Sequence, residues 1–356
     1  MKIGILTFHD TTNFGSLLQT YGLYRFIVDL GFDCDIIDYQ CENIVEREIP
    51  KPFAFSFCPK HLLREFFFQT TKRKKYMSML SFLREHMTLS EKCDRTNVKS
   101  LNDKYDCFVV GSDIVWGLDI TANDTAYFLD FVEDGKKKIA FSSSIGNAWN
   151  ENEKNLVKPL LKRFNSIAVR EEESADWVEE AIGLRPFVVC DPTMLLSAEQ
   201  WISLMHLNKN EESYVLVYFD NQNGDCKRSA IEYAKRKKIS VKCINYTRPA
   251  KGVDNVKPLS IQDFLSLIKN ADCVFTASYH GLLFSVYFEK QLVYFNRAHK
   301  SRMKTIAKKL GIEKNCGDCM TFSKMPFIDY SIVRKKVEQY RRKSIEILKN
   351  MLTSNK

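Results

Sequence analysis

The residues able to do chemistry in this chain gather at the ends of short apolar runs. Lys2–Thr7 is followed by Phe8-His9-Asp10-Thr11-Thr12-Asn13-Phe14-Gly15-Ser16, and Cys107–Val110 by Gly111-Ser112-Asp113. Phe141 leads into Ser142-Ser143-Ser144, and Val169 into Arg170-Glu171. Farther on, Phe219 precedes Asp220-Asn221-Gln222, and Thr276 precedes Ala277-Ser278-Tyr279-His280-Gly281. Phe295 precedes Asn296-Arg297, then His299-Lys300-Ser301-Arg302. Small polar groups, carboxylate, histidine and cations at such places make the inventory of a site for a charged, hydroxyl-rich ligand.

Each residue also has a plainer reading. Asp113 caps the turn that follows it, or it meets a ligand. Arg170 pairs with Glu171 at the surface, or it meets an anion. His280 opens an apolar helix, where free N–H groups favour an anion, so a functional reading outweighs a core one. Lys300 and Arg302 sit in a first helical turn, where cations oppose the helix dipole, and an anionic ligand would explain them. Gly15 and Gly111 belong to no complete GxGxxG or Walker sequence, so dinucleotide and P-loop readings are weak.

The elements that must position these residues alternate. Strands are expected at Lys2–Thr7, Cys34–Ile37, Cys107–Val110, Lys138–Ser142, Ile167–Val169 and Phe187–Val189, with helices at Gly15–Leu30 and Glu172–Ile182. The charged segment Asn208–Ser213 reads as a linker, and then the pattern restarts. Strands are expected at Tyr214–Phe219, Ser240–Ile244, Cys273–Thr276 and Leu292–Phe295. Helices fill Lys227–Lys237, Ile261–Lys269, Gly281–Phe288 and Lys300–Leu310, and a last charged helix runs over Tyr330–Met351. Alternation of this kind predicts mostly parallel sheets covered on both faces. The expected fold is α/β, with two Rossmann-like domains facing a cleft: residues 1–207, residues 214–327, and a C-terminal helix over 328–356.

Composition narrows the classes. With 356 residues, two domains are the default. No run of 18 apolar residues occurs, and Met1–Thr7 is too short for a signal-peptide core, so a cytoplasmic protein is expected. The net charge of +9 favours anionic partners. No helix-turn-helix, zinc-finger or aromatic RNA-binding signature accompanies it, so nucleic acid is not an expected partner. The 11 cysteines are scattered, and Cys107, Cys190, Cys243 and Cys273 lie in apolar runs, which suits reduced, buried thiols. The lone Cys316-Gly317-Asp318-Cys319 lacks the second pair of a structural zinc site, so no metal is expected.

Five of these segments fall in a familiar order. Asn13-Phe14-Gly15-Ser16-Leu17-Leu18-Gln19 resembles the "N-Y-G-x-x-L-Q" opening of the polysaccharide pyruvyl transferase family. Gly111-Ser112-Asp113-Ile114-Val115-Trp116 resembles its "GSDxVW", and Val169-Arg170-Glu171-Glu172-Glu173-Ser174 its "VREexS". Asp191-Pro192-Thr193-Met194-Leu195-Leu196 is similar to "DPTxLL", and Thr276-Ala277-Ser278-Tyr279-His280-Gly281 to "TxSFHG". Each is weak alone; five in order over residues 1–312 are specific.

The resemblance implies a glycosyltransferase-B-like fold, phosphoenolpyruvate as donor, and a pair of sugar hydroxyls as acceptor. It places Arg170 and His280 at the donor and catalytic site, with Asp113 beside them. Some members carry an arginine two residues before the histidine, where this chain has Ser278; that contact is then absent or supplied by Arg297, Lys300 or Arg302. Ketal formation needs an acid for the enol carbon, a base for the attacking hydroxyl and fixed cations. His280 is assigned as acid, Asp113 as base or acceptor ligand, and Asn13, Gln222 and Ser144 as acceptor contacts, with no cofactor. The acceptor is expected to be a lipid-linked saccharide. Phe66-Phe67-Phe68 beside Lys72–Lys75 reads first as a core-packed helix with a solvated basic face, and otherwise as a contact with the inner membrane face. The rivals are a nucleotide-sugar glycosyltransferase of the same fold and a non-enzymatic scaffold.

Overall fold

A computed structural model of the chain describes residues 1–50, 59–209, 212–221, 223–246, 249–296, 300–319 and 325–354, without the side chains of 59–68, 300–301 and 319. Arg297, Gln222, the side chains of Lys300 and Cys319, and those of Phe66, Phe67 and Phe68 therefore lie outside the described residues.

In chain order the elements are β1 (Lys2–Leu6), α1 (Phe14–Asp29), β2 (Asp33–Ile36), α2 (Glu42–Glu48), α3 (Pro59–His86), β3 (Cys107–Val110), α4 (Leu118–Thr121), β4 (Lys137–Ser143), α5 (Glu151–Leu161), β5 (Ser166–Val169), α6 (Glu172–Ile182), β6 (Phe187–Val188) and α7 (Ala198–Leu204). Then come β7 (Tyr214–Tyr218), α8 (Asp225–Lys237), β8 (Ser240–Ile244), β9 (Asp254–Val256), α9 (Ile261–Asn270), β10 (Cys273–Thr276), α10 (Tyr279–Tyr287), β11 (Gln291–Tyr294), α11 (Lys300–Leu310) and α12 (Tyr330–Thr353). Polar caps start many of the helices. The Asn13, Asn150, Ser197, Ser260 and Ser278 side chains each accept from a backbone N–H of the first turn.

The strands form two parallel sheets, ordered β2-β1-β3-β4-β5-β6 and β11-β10-β7-β8-β9. The α/β class expected from the alternation holds. The chain divides into two compact units. One holds Met1–Ile49, Leu80–Leu196 and Gln339–Lys356; the other holds Pro50–Met79 and Ser197–Glu338. The end of α12 returns to the first unit. There Ser344 Oγ accepts from Cys190 N at 2.9 Å, and Arg341 Nη2 donates to Leu195 O at 3.1 Å.

In both sheets the central strands are buried throughout, as strands covered on two faces must be. Cys107, Cys190, Cys243 and Cys273 are buried, and no disulfide occurs among the described residues. Burial pushes the Cys107 and Cys190 thiols up to about 12, so neither is a nucleophile near neutral pH. Among the described residues no helix is long and apolar enough to cross a membrane.

Candidate functional site

Parallel sheets bind ligands beyond the carboxyl ends of their strands, where neighbouring connections leave in opposite directions. In the first sheet that place lies between β1 and β3. Leu6 and Val110 are register partners there, so the loops beginning at Thr7 and Gly111 start side by side. Thr7 Oγ1 donates to Ser112 O at 3.1 Å, and Gln19 takes the Ser112 N–H at 3.1 Å while donating to Thr7 Oγ1 at 3.0 Å. Gly111 has φ +123°, and a Cβ there would lie 2.2 Å from Phe141 O, so only glycine lets the turn form.

The turn delivers Asp113 in the left-handed region, φ 70°. Its Oδ1 accepts from Ile114 N at 2.8 Å, and its Oδ2 accepts from Ser16 Oγ. The capping reading and the site reading of Asp113 thus describe different oxygens of one carboxylate. Buried Trp116 anchors the segment from behind, stacked on Phe128 with Nε1 donating to Tyr127 O at 2.9 Å.

Ser144 sits against Asp113: its N–H donates to Asp113 O at 3.0 Å. The side chain is fully buried, and its hydroxyl has no partner among the described residues. A buried unpaired hydroxyl costs about 1–3 kcal/mol, which a bound water or ligand would relieve. Asn13 is exposed and caps α1, its Oδ1 accepting from Gly15 N at 2.9 Å.

Arg170 follows β5, but its setting is neither a surface pair nor an open cation. The side chain is 1% exposed. Nε donates to Glu171 at 2.7 Å and Nη1 to Asp191 at 3.0 Å, both carboxylates being equally buried. Asp191 also takes the N–H and hydroxyl of Thr193, so Arg170 ties the VRE and DPT segments together.

In the second sheet the connections diverge between β7 and β10. Thr276 Oγ1 donates to Tyr218 O at 2.6 Å, and Ala277 N to Phe219 O at 2.9 Å, which binds the two strand ends. Ser278 caps α10, accepting from Gly281 N at 3.2 Å. His280 is the second residue of α10, half-buried, with its ring edge-on to Tyr279. Gly281 allows the close approach: a Cβ would meet Thr276 Oγ1 at 2.5 Å and Tyr218 Cδ1 at 2.9 Å. Arg302 lies on α11, partly exposed.

The first unit therefore brings Asp113, Ser144 and Asn13 to one switch point, and the second brings Ser278 and His280 to its own. Sequence reasoning gave no site role to Ser16 and Gln19, although both stand in the first motif. Nor did it foresee Asp191 as the partner of Arg170. Among the described residues no group of His, Cys, Asp and Glu could hold a metal ion.

Residues 13–299 match the profile of a family described as polysaccharide pyruvyl transferase. Among solved structures, UDP-GlcNAc 2-epimerase from Neisseria meningitidis bound to UDP-GlcNAc is 12% identical and covers 100% of both chains, with TM-score 0.51. A UDP-glucosyltransferase from Polygonum tinctorium is 10% identical over 99% of each chain, with TM-score 0.47. The epimerase likeness shows the fold, two parallel-sheet α/β units of glycosyltransferase-B type, and nothing finer. No curated protein matches the chain in sequence.

Proposed function

Because the chain belongs to the polysaccharide pyruvyl transferase family, we propose that it moves the enolpyruvyl group of phosphoenolpyruvate onto two hydroxyls of a saccharide. The products are a pyruvate ketal and phosphate. The observation that carries this reading is placement. Asp113 with Ser16, and Ser278 through His280, stand beyond the strand ends at the switch points of the two sheets.

The proposed steps balance. His280 protonates the methylene carbon, which becomes the methyl group. One sugar hydroxyl adds to the adjacent carbon, its proton going to Asp113. The second hydroxyl oxygen then displaces phosphate from that carbon, and its proton leaves with the phosphate. Two C–O bonds form and one C–O bond to phosphate breaks. Ser16 and the Ile114 N–H hold the Asp113 carboxylate in place. Asn13 and Gln222 contact acceptor hydroxyls, while Ser144, fully buried, supports Asp113 through its N–H rather than touching the acceptor. The N–H groups opening α10 beside Ser278 suit the donor's anionic groups, and Arg297, Lys300 and Arg302 supply positive charge. Arg170, held by two carboxylates, orders the strand ends of the first sheet rather than offering a bare cation. On this reading the acceptor is a surface-polysaccharide precursor, lipid-linked and met at the cytoplasmic membrane face.

Calorimetric titration of the full chain with phosphoenolpyruvate, beside a panel of UDP-sugars, tests the donor. Micromolar phosphoenolpyruvate binding is expected, weakened roughly tenfold or more in a Lys300→Ala, Arg302→Ala variant. Binding of a UDP-sugar with none of phosphoenolpyruvate would overturn the donor and favour a nucleotide-sugar glycosyltransferase.

A further inference from the structure

The first unit carries a groove of about 910 Å³ that the proposed chemistry does not use. Its walls come from the connection after β2 and from α2, from Lys92–Thr96, and from Thr121, Ala122 and Asp124 at the end of α4. The floor is Tyr39, Cys41, Cys93 and Thr121, all buried. Tyr39 is fixed by its hydroxyl, which donates to Asp124 Oδ2 at 2.6 Å, and by edge contact with Tyr127.

The residues lining this space carry more acidic than basic groups. Gln40 and Asn43 are held through their NH2 groups, to Asp38 Oδ1 and Ile120 O, both at 2.6 Å. Each amide thereby spends one of its two N–H donors and keeps its oxygen as an acceptor. Glu42 and Glu46 add exposed carboxylates; Asp94 and Asp124 add negative charge, with Asp94 Oδ1 already taken by Thr96 and the Asp124 oxygens by Tyr39 and Ala126. Against them stand only Lys92 and Arg95, and Arg95 is engaged by Asp130 through Nη1 at 2.6 Å. A net-acidic groove repels phosphate and favours a ligand made of hydroxyl donors.

The groove also adjoins the switch point of the same sheet. β2 neighbours β1, which neighbours β3, so the loop after β2 lies about 10 Å across the sheet from the strand that delivers Asp113. Hydrogen bonds run along this path: His9, from the β1 loop, meets Asp38 at 3.1 Å, and Asp38 receives Gln40.

We infer that this groove binds an uncharged segment of the glycan, one or more sugar units away from the unit that reacts. The inference rests on the proposed function for the glycan's role as acceptor, but the binding itself does not require transfer. The test is glycan binding by the full chain, read by NMR titration. The probes are neutral gluco-, galacto- and manno-oligosaccharides of one to five units, with glucosamine oligomers as a cationic comparison. Affinity should rise with length beyond one unit. A Glu42→Arg, Glu46→Arg variant, both side chains being exposed, should lose about tenfold or more of the affinity for the longer probes with an unchanged melting curve. No binding, binding indifferent to length or to the variant, or binding of the glucosamine oligomers alone, each overturns it. Neutral-glycan binding that the variant abolishes, in a protein that performs no pyruvyl transfer, leaves the groove standing and removes the functional reading. Transfer with a KM that ignores acceptor length and the variant does the reverse.

Discussion

Turnover of His280→Ala is expected to fall roughly 10²- to 10⁴-fold, the usual reach of one general acid, while its melting curve stays that of the parent. The ring is half-buried and stands at the second position of α10, beyond the tight junction that Thr276, Ser278 and Gly281 make with β7. Its removal leaves that junction intact, so the loss belongs to chemistry rather than folding. His280→Gln separates two roles. Glutamine keeps a hydrogen-bond donor but cannot deliver a proton to carbon, so it should be nearly as slow as alanine. If glutamine restores most of the rate, His280 binds the donor and something else protonates it. Near-parental turnover in both variants removes His280 from the reaction.

The second large effect concerns stability. Arg170 is buried between Glu171 and Asp191, and neither carboxylate is more than 3% exposed. Arg170→Met leaves two like charges buried together without their cation. Breaking such an arrangement costs about 3–5 kcal/mol. For a unit of this size that means a melting temperature lowered by on the order of 10 °C. Asp191→Asn should lose less, because Thr193 can still donate to the amide oxygen. Scanning calorimetry of both proteins checks the ranking. An Arg170→Met protein that melts like the parent but no longer binds phosphoenolpyruvate would make Arg170 a donor ligand, as the family motif implied, and would refute the structural role argued here.

Arg170 also illustrates what a linear reading sees. Its charge and its neighbour Glu171 are visible in the sequence, but its second partner lies 21 positions away and its burial depends on the whole sheet. The strands Cys107–Val110, Ser240–Ile244 and Cys273–Thr276 and the helices Glu172–Ile182 and Lys300–Leu310 emerge with the bounds that apolar periodicity predicts. They are buried or amphipathic elements whose own residues decide them. Strand β9, Asp254–Val256, is missed because it is a short edge strand with no fully buried residue, held by pairing to β8 rather than by apolar pattern. The return of the end of α12 to the first unit is not legible either, because it depends on long-range packing such as Ser344 on Cys190. At the candidate site, the positions of Asp113 and His280 after their strands are legible. The left-handed turn at Asp113 and its clasp by Ser16 are not, because they depend on β1 and β3 lying side by side.

The central claim is a transfer, and its most direct measurement follows the carbon that moves. Phosphoenolpyruvate labelled with ¹³C at the enol carbon is incubated with the full chain and a panel of saccharides, and the label and free phosphate are read by NMR. The account predicts a quaternary carbon bonded to two sugar oxygens, with one phosphate released per ketal, absent from the His280→Ala reaction. Label that stays in phosphoenolpyruvate, while the same protein releases UDP from a nucleotide sugar onto the same saccharides, would contradict it.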